Sequence, residues 1–284
     1  MESTSGTGFF TDTTLCIGCK ACEVACKQWN ELPSDGFDFS GNSYDNTRTL
    51  SGTTWRHVSF VEQMNVGAST IQDRWLMMSD VCKHCTHAGC LEACPTGAII
   101  RNEFDNVYIQ PDVCNGCGYC IPSCPFGVVD LISPAGDSRH AVYNTATLRE
   151  DRGDQTAMQV TGGVAGKCTL CYDRQTIGFE PACAKACPTE SIQFGNVAEL
   201  KATAKQRVEN LQQRGVDAYL YGVDETGSVG DLNAFFLLTE RPEAYNLPPR
   251  PVLPSTHQPA AYASAALAVG ALALIGTAIF RRAR

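Results

Sequence analysis

Sixteen cysteines fall into four groups of four, with none left over. Cys16, Cys19, Cys22 and Cys26 form the first group, and Cys82, Cys85, Cys90 and Cys94 the second. Cys114, Cys117, Cys120 and Cys124 form the third, and Cys168, Cys171, Cys183 and Cys187 the fourth. The last cysteine of groups two to four is followed by proline: Pro95, Pro125 and Pro188. Groups one and three read C-x2-C-x2-C-x3-C, while groups two and four widen the middle gap to four and eleven residues. Three closely spaced thiolates wrap one face of an iron–sulfur cube, and a fourth, three residues on, opens a helix that points away towards a neighbouring cube. Proline suits that first helical turn, where a missing N–H costs nothing. Zinc also uses C-x2-C pairs, but it needs neither a third cysteine two residues later nor a repeated Cys-Pro. The pattern reads as four [4Fe–4S] clusters rather than as zinc or disulfides.

Linker lengths suggest how the groups pair. Nineteen residues separate Cys94 from Cys114, against 55 between Cys26 and Cys82 and 43 between Cys124 and Cys168. The short spacer contains IIRNEFDNVYIQP, two β-rich arms around Asp105 and Asn106, which reads as a hairpin. Two-cluster ferredoxins join their halves this way, so groups two and three are expected to pair, leaving one and four to pair around them. One cluster is then expected on Cys16, Cys19, Cys22 and Cys187, and a second on Cys26, Cys168, Cys171 and Cys183. The inner module is expected to hold a third on Cys82, Cys85, Cys90 and Cys124, and a fourth on Cys94, Cys114, Cys117 and Cys120.

The expected class is α+β: two nested ferredoxin-like two-cluster modules plus one C-terminal transmembrane helix. Residues 10–30 and 160–198 make the outer module, and 72–135 the inner one. Residues 31–71 and 136–159 are polar insertions, apart from a strand-like run from Trp55 to Val61. Within the extension 199–247, Glu199 to Arg214 reads as a solvated amphipathic helix closed by Gly215. Two strand candidates follow at 218–223 and 234–239, then a linker, 248–259, with five prolines that make it stiff and extended. Residues 260–280 hold no charge, and Arg281, Arg282 and Arg284 follow at once. As a helix this run spans roughly 30 Å, the thickness of a bilayer core. The first fifteen residues have neither a basic nor an apolar region, so no secretory signal is expected there.

Composition removes other classes. With 22 Lys and Arg against 30 Asp and Glu, the formal charge is −8, and the basic footprint that nucleic acid requires is absent. At 44% hydrophobic residues the chain is no disordered polymer. No acid–base dyad, phosphate loop or dinucleotide fingerprint stands out, so no catalytic residue is expected. His84 and His87 sit among the ligands of group two but compete with complete cysteine sets. Lys20, Lys83, Lys167 and Lys185 lie within or beside three groups, either raising cluster potentials or serving solubility. Trp29, Trp55 and Trp75 read as core or interface aromatics.

The runs CIGCKACEVACKQWNELP, WRHVSFVEQ, MMSDVCKHCTHAGCLEACPTGAI and CNGCGYCIPSCPFGVVDL resemble the iron–sulfur subunit of membrane-associated formate dehydrogenases. The similarity covers about residues 10–250 and the C-terminal anchor. The four-group framework alone is shared with subunits of dimethyl sulfoxide, polysulfide, tetrathionate and nitrate reductases and of some hydrogenases. In the nitrate reductase subunit a tryptophan replaces one ligand, whereas this chain keeps cysteine in every slot. The resemblance implies a non-catalytic electron-transfer subunit. Its catalytic partner would carry a molybdenum- or tungsten-bis-pterin and its own [4Fe–4S] cluster. The acceptor would be a membrane cytochrome b or another quinone-reducing subunit. The basic tail after residue 280 is expected to lie in the cytoplasm, with the cluster domain outside the membrane. The resemblance supplies a route for this, export of the folded chain with a partner that bears a twin-arginine signal. The contrary case is a tail-anchored protein whose domain stays cytoplasmic.

Overall fold

The computed structural model describes residues 6–34, 47, 49–64, 73–132, 138–139, 163–224 and 227–282. In chain order these begin with β1 (Thr7–Asp12), α1 (Ala21–Trp29), and the long strands β2 (Arg56–Gln63) and β3 (Arg74–Val81). Then come α2 (Gly89–Glu92), β4 (Ile99–Arg101), β5 (Val107–Ile109), β6 (Asp130–Ile132), β7 (Ser138–Arg139) and β8 (Val164–Gly166). The remaining elements are α3 (Tyr172–Gln175), α4 (Ala182–Lys185), β9 (Ile192–Asn196), α5 (Val197–Gln213), β10 (Tyr219–Tyr221), β11 (Ala234–Leu238) and α6 (Gln258–Arg282). Most of the polar insertion 136–159 lies outside the described residues, as do parts of 31–71.

Two apolar runs from opposite ends of the chain make the centre of the main sheet. Its order is β10-β11-β1-β9, with β1 parallel to β11 and antiparallel to β9. β11 reads AFFLL and is buried at every position, as expected of a strand covered on both faces. Phe10 of β1 stacks on Phe235 of β11 at 5.5 Å between ring centroids. α5 covers this sheet through Val197, Leu200, Ala204 and Leu211, whose spacing makes one helical stripe. The Asn196 side chain accepts hydrogen bonds from the Ala198 and Glu199 amides and caps the helix. At the other end Gly215 adopts φ +78, and the amides of Gly215 and Val216 donate to Gln212 and Leu211 carbonyls. The helix thus starts two residues before the sequence-based expectation and closes at the expected glycine.

β4 and β5 form the expected hairpin, pairing Ile99 with Ile109 and Arg101 with Val107. Asn102 shapes its turn: the side-chain oxygen accepts from the amides of Phe104 and Asn106, and Asp105 takes φ +61. β2 and β3 pair over eight residues, and β6 lies between β7 and β8. Both strand candidates of the extension are present, trimmed to β10 and β11.

The proline-rich segment does not stand clear of the protein along its whole length. Leu247 and Leu253 are buried, the Tyr221 hydroxyl donates to the Pro248 carbonyl at 2.6 Å, and Ser255 Oγ donates to Glu92 Oε2 at 3.0 Å. Leu247 and Leu253 seat in the sheet's core because apolar side chains recur between the prolines. Beyond it, the side chains of α6 are described for residues 262–275, and all are exposed. Among the described residues no helix is long and apolar enough to cross a membrane.

Candidate metal centres

Each cysteine group opens with a C-x2-C loop, and the four loops share one backbone device. The residue before the second cysteine has positive φ in every case: Gly18 at +66, His84 at +46, Gly116 at +72 and Leu170 at +56. Such a turn rotates successive N–H groups to one side, making a concavity suited to anionic sulfur. The Leu170 amide already donates to Cys168 Sγ at 3.2 Å. Glycine adopts this conformation freely, but His84 and Leu170 do so at a cost of about 1–2 kcal/mol each, strain of the kind that functional sites retain.

Cys16, Cys19, Cys22 and Cys187 line one cavity together with Lys20, Ser79 and Thr189. Cys94, Cys114, Cys117 and Cys120 line another with Thr96 and Ala165. Cys26 lies within electrostatic reach of Cys168, Cys183 and Cys171, and Cys85 within reach of Cys124, Cys82 and Cys90. Electrostatic reach extends between these sets as well: Cys22 feels Cys183, Cys168 feels Cys82, and Cys90 feels Cys120. Cys19 and Cys117 are exposed, whereas every other cysteine is buried or half-buried.

None of the sixteen cysteines forms a disulfide. Burial first, then neighbouring cysteines, push Cys22, Cys120 and Cys171 up to about 12 each, against the lowering pull of Arg56 and Ser79 at Cys22 and of Arg174 and the Ala182 amide at Cys171. Crowded, buried thiols of this kind become thiolates only against a compensating positive core, which iron supplies. Among the described residues no three His, Cys, Asp or Glu side chains are grouped tightly enough to hold a single metal ion. A cubane places one thiolate on each of its irons and so suits the wider sets.

The pockets also hold donors for sulfur. Ser79 Oγ lies 3.2 Å from Cys22 Sγ, the Ala165 amide donates to Cys114 Sγ at 3.4 Å, and Asn30 Nδ2 donates to Cys26 Sγ at 3.6 Å. In the two Cys-Pro-Thr runs the threonine hydroxyl returns to its cysteine, Thr96 to Cys94 at 3.6 Å and Thr189 to Cys187 at 3.8 Å. At Cys94 burial is slight, so the Thr96 hydroxyl and the amides of Ile99, Thr96 and Ala98 hold the thiol below its ordinary pKa. A hydrogen bond to sulfur favours the more negative, reduced state. Thr189→Val is therefore expected to lower the midpoint potential of the cluster that uses Cys187. About 1 kcal/mol of lost bond corresponds to about 40 mV for one electron, measured by an EPR-monitored redox titration.

The four lysines divide by burial. Lys83 and Lys167 are buried, while Lys20 is half-buried and Lys185 exposed. Lys83 bonds Asp80 Oδ1 and the Val81 carbonyl and lies over the Phe126 and Phe236 rings. Lys167 bonds the carbonyls of Val107 and Cys168. Solubility accounts for Lys185 but not for these two. His84 is fully buried; burial first, then Lys167, Arg101 and Arg56, hold its pKa well below the usual value, so it is neutral, while His87 is exposed. Trp29 donates to Asp173 Oδ2 at 2.7 Å and stacks under Arg174 at 4.3 Å, joining α1 to α3. Nothing in the sequence singles out Ser79 or Asn30, whereas the repeated Cys-Pro-Thr run is a signal for Thr96 and Thr189.

Residues 15–98 match one 4Fe-4S dicluster domain family, and residues 73–149 with 154–197 match another. Two dicluster domains and sixteen cysteines define an electron-transfer protein carrying four [4Fe–4S] clusters. The protein is 39% identical over 254 residues to the formate dehydrogenase-O iron–sulfur subunit of Escherichia coli, covering 86% of this chain and 72% of that protein. It is also 39% identical over 240 residues to a formate dehydrogenase iron–sulfur subunit of Haemophilus influenzae, covering 83% and 66%. The B subunit of the anaerobic dimethyl sulfoxide reductase of Escherichia coli is 32% identical over 194 residues, covering 68% and 75%. The chain thus spans about two thirds of the length of the Haemophilus relative and somewhat more of the other two. It belongs to the family of formate dehydrogenase iron–sulfur subunits.

Proposed function

We propose that this chain conducts electrons from a formate-oxidising molybdenum- or tungsten-pterin subunit to a membrane cytochrome b or another quinone-reducing subunit. The observation that carries the reading is the unbroken succession of cysteine sets. Ligand sets Cys16, Cys19, Cys22, Cys187, then Cys26, Cys168, Cys171, Cys183, form the outer module. Cys82, Cys85, Cys90, Cys124, then Cys94, Cys114, Cys117, Cys120, form the inner one. The electrostatic reach of Cys183 to Cys22, of Cys82 to Cys168 and of Cys120 to Cys90 supports one line through all four sets. Bound in these sets, cubanes accept and release single electrons. The chain's own residues fix their positions, exclude water and donate hydrogen bonds to sulfur.

The ends of the line are the exposed cysteines. Cys19 has exposed Ile17 and Val24 nearby in sequence, and Cys117 has Val113 and Tyr119. The outer end faces the catalytic partner and the inner end the membrane acceptor, as the family resemblance suggests. The likeness to the dimethyl sulfoxide reductase subunit supports a second reading, the same wire in another respiratory oxidoreductase, but at lower identity and over less of the chain. Purification of the detergent-solubilised complex, followed by a formate-to-dye assay, separates the two. Formate-dependent dye reduction supports the first reading, and reduction of dye without formate dependence removes it.

The helix Gln258–Arg282 is proposed as a single membrane anchor. Its 25 residues reach about 37 Å, its run 260–280 is uncharged, and Leu267, Val269, Leu272, Leu274 and Ile275 are exposed apolar side chains. The basic tail favours a cytoplasmic C-terminus, with the cluster domain on the periplasmic side. Protease added to intact spheroplasts is expected to digest the cluster domain. Protection until the membrane is opened would reverse the topology.

A further inference from the structure

Arg56 opens β2 with a guanidinium that is 1% exposed. Its Nη1 donates to Ser79 Oγ at 3.0 Å and to the Ser79 carbonyl at 3.5 Å, and its plane lies 4.6 Å from the centre of the Phe9 ring. Nε and Nη2 are buried and have no hydrogen-bond partner. Among the described residues no carboxylate pairs with this cation, unlike Lys83 with Asp80 or Arg101 with Asp105. A buried charge without water or counter-ion is strongly unfavourable, and arginine does not escape by losing its proton. The compensating charge must lie beside it.

Cys183, Cys22, Cys168 and Cys26 lie within electrostatic reach of Arg56, and Ser79 bridges it to Cys22 directly, 3.0 Å from Arg56 Nη1 and 3.2 Å from Cys22 Sγ. Cys22 belongs to one proposed outer set and the other three belong to the second. The guanidinium therefore sits at the junction of the two outer sites, with two N–H edges free for sulfur acceptors.

We propose that Arg56 is a positioning residue for the electron at this junction, donating to cluster sulfur and favouring the reduced state of the outer pair. Four thiolates outweigh the positive charge of a cubane core, and each electron gained adds one more negative charge. A fixed cation alongside stabilises that added charge and raises the potential. No bond forms or breaks: one electron arrives, one leaves, and Arg56 keeps its proton throughout. The inference rests on the outer ligand sets proposed above and not on the identity of the donor substrate.

The test is an EPR-monitored redox titration of the full chain loaded with four clusters. In Arg56→Gln the reduced-to-oxidised ratio of an outer cluster at fixed potential is expected to fall about tenfold, a downward shift of about 59 mV for one electron. The midpoints of the two inner clusters are expected to hold, and Arg56→Lys is expected to recover most of the loss. Unchanged midpoints in loaded Arg56→Gln, or an equal shift in all four clusters, would overturn the proposal. Should Arg56→Gln fail to retain four clusters, the wild-type chain grown with guanidino-labelled ¹⁵N-arginine decides. A ¹⁵N coupling to a reduced outer cluster that disappears in Arg56→Lys supports the role. Absence of the coupling in wild type, or its persistence in Arg56→Lys, rejects it.

Discussion

Cys26→Ala is expected to remove the cubane shared with Cys168, Cys171 and Cys183 while leaving the one on Cys16, Cys19, Cys22 and Cys187 intact. Iron content should fall by about a quarter, since one of four cubanes is lost. Formate-driven reduction of the membrane acceptor should fall to background if, as proposed, electrons pass through this site second in the line. Reduction of an artificial dye at the catalytic subunit should survive. The expectation comes from the environment of Cys26: it lies in α1, buried, within electrostatic reach of Cys168, Cys171 and Cys183, more than 140 residues further along the chain. Loss of the signal belonging to Cys16, Cys19 and Cys22 instead would show that the first group closes on itself. EPR of the reduced variant distinguishes these outcomes directly.

The second large effect is structural. Gly8 lies in β1 between β9 and β11, and a Cβ there would meet the Asn233 carbonyl oxygen at 1.9 Å and its carbon at 2.9 Å. Both atoms are backbone, so no side chain can turn aside. Asn233 is itself tied down, its Nδ2 donating to the Asp105 carbonyl at 2.8 Å in the β4–β5 turn. Gly8→Ala is expected to push β1 away from β11 and destabilise the fold by about 3 kcal/mol. Because cluster proteins unfold irreversibly, the measurement is the rate at which the visible cubane absorption bleaches on warming. Bleaching at the wild-type rate would mean that the strands separate without loss.

The local features were legible in the sequence, and the long-range ones were not. The cysteine groups, the hairpin around Asp105 and the helix ending at Gly215 each carry their signal within a few residues. The pairing of β1 with β11 carries none, because nothing in TGFFTD names a partner two hundred residues away. Gly18 and Gly116 announce their positive φ, but His84 and Leu170 adopt it only because the surrounding loop compels them. Arg56 was hidden for another reason. An arginine in a strand ordinarily points to water, and only the assembled sulfur sites give it a place inside. Leu247 and Leu253 were masked by the prolines around them, which suggested a free spacer where the chain lies against the core.

The parallel pairing of β1 with β11 also bears on synthesis. Thr13 Oγ1 donates to the Leu237 carbonyl across 224 residues of sequence. At roughly 5–20 residues per second on the ribosome, β1 waits about 10–45 s for its neighbour to emerge. Throughout that interval Phe9 and Phe10 lack the strand that covers them, and the first cysteine group is already outside the exit tunnel. The nascent chain is thus expected to need a holding chaperone early and to accept its iron late, with the inner module ready for loading before the outer one.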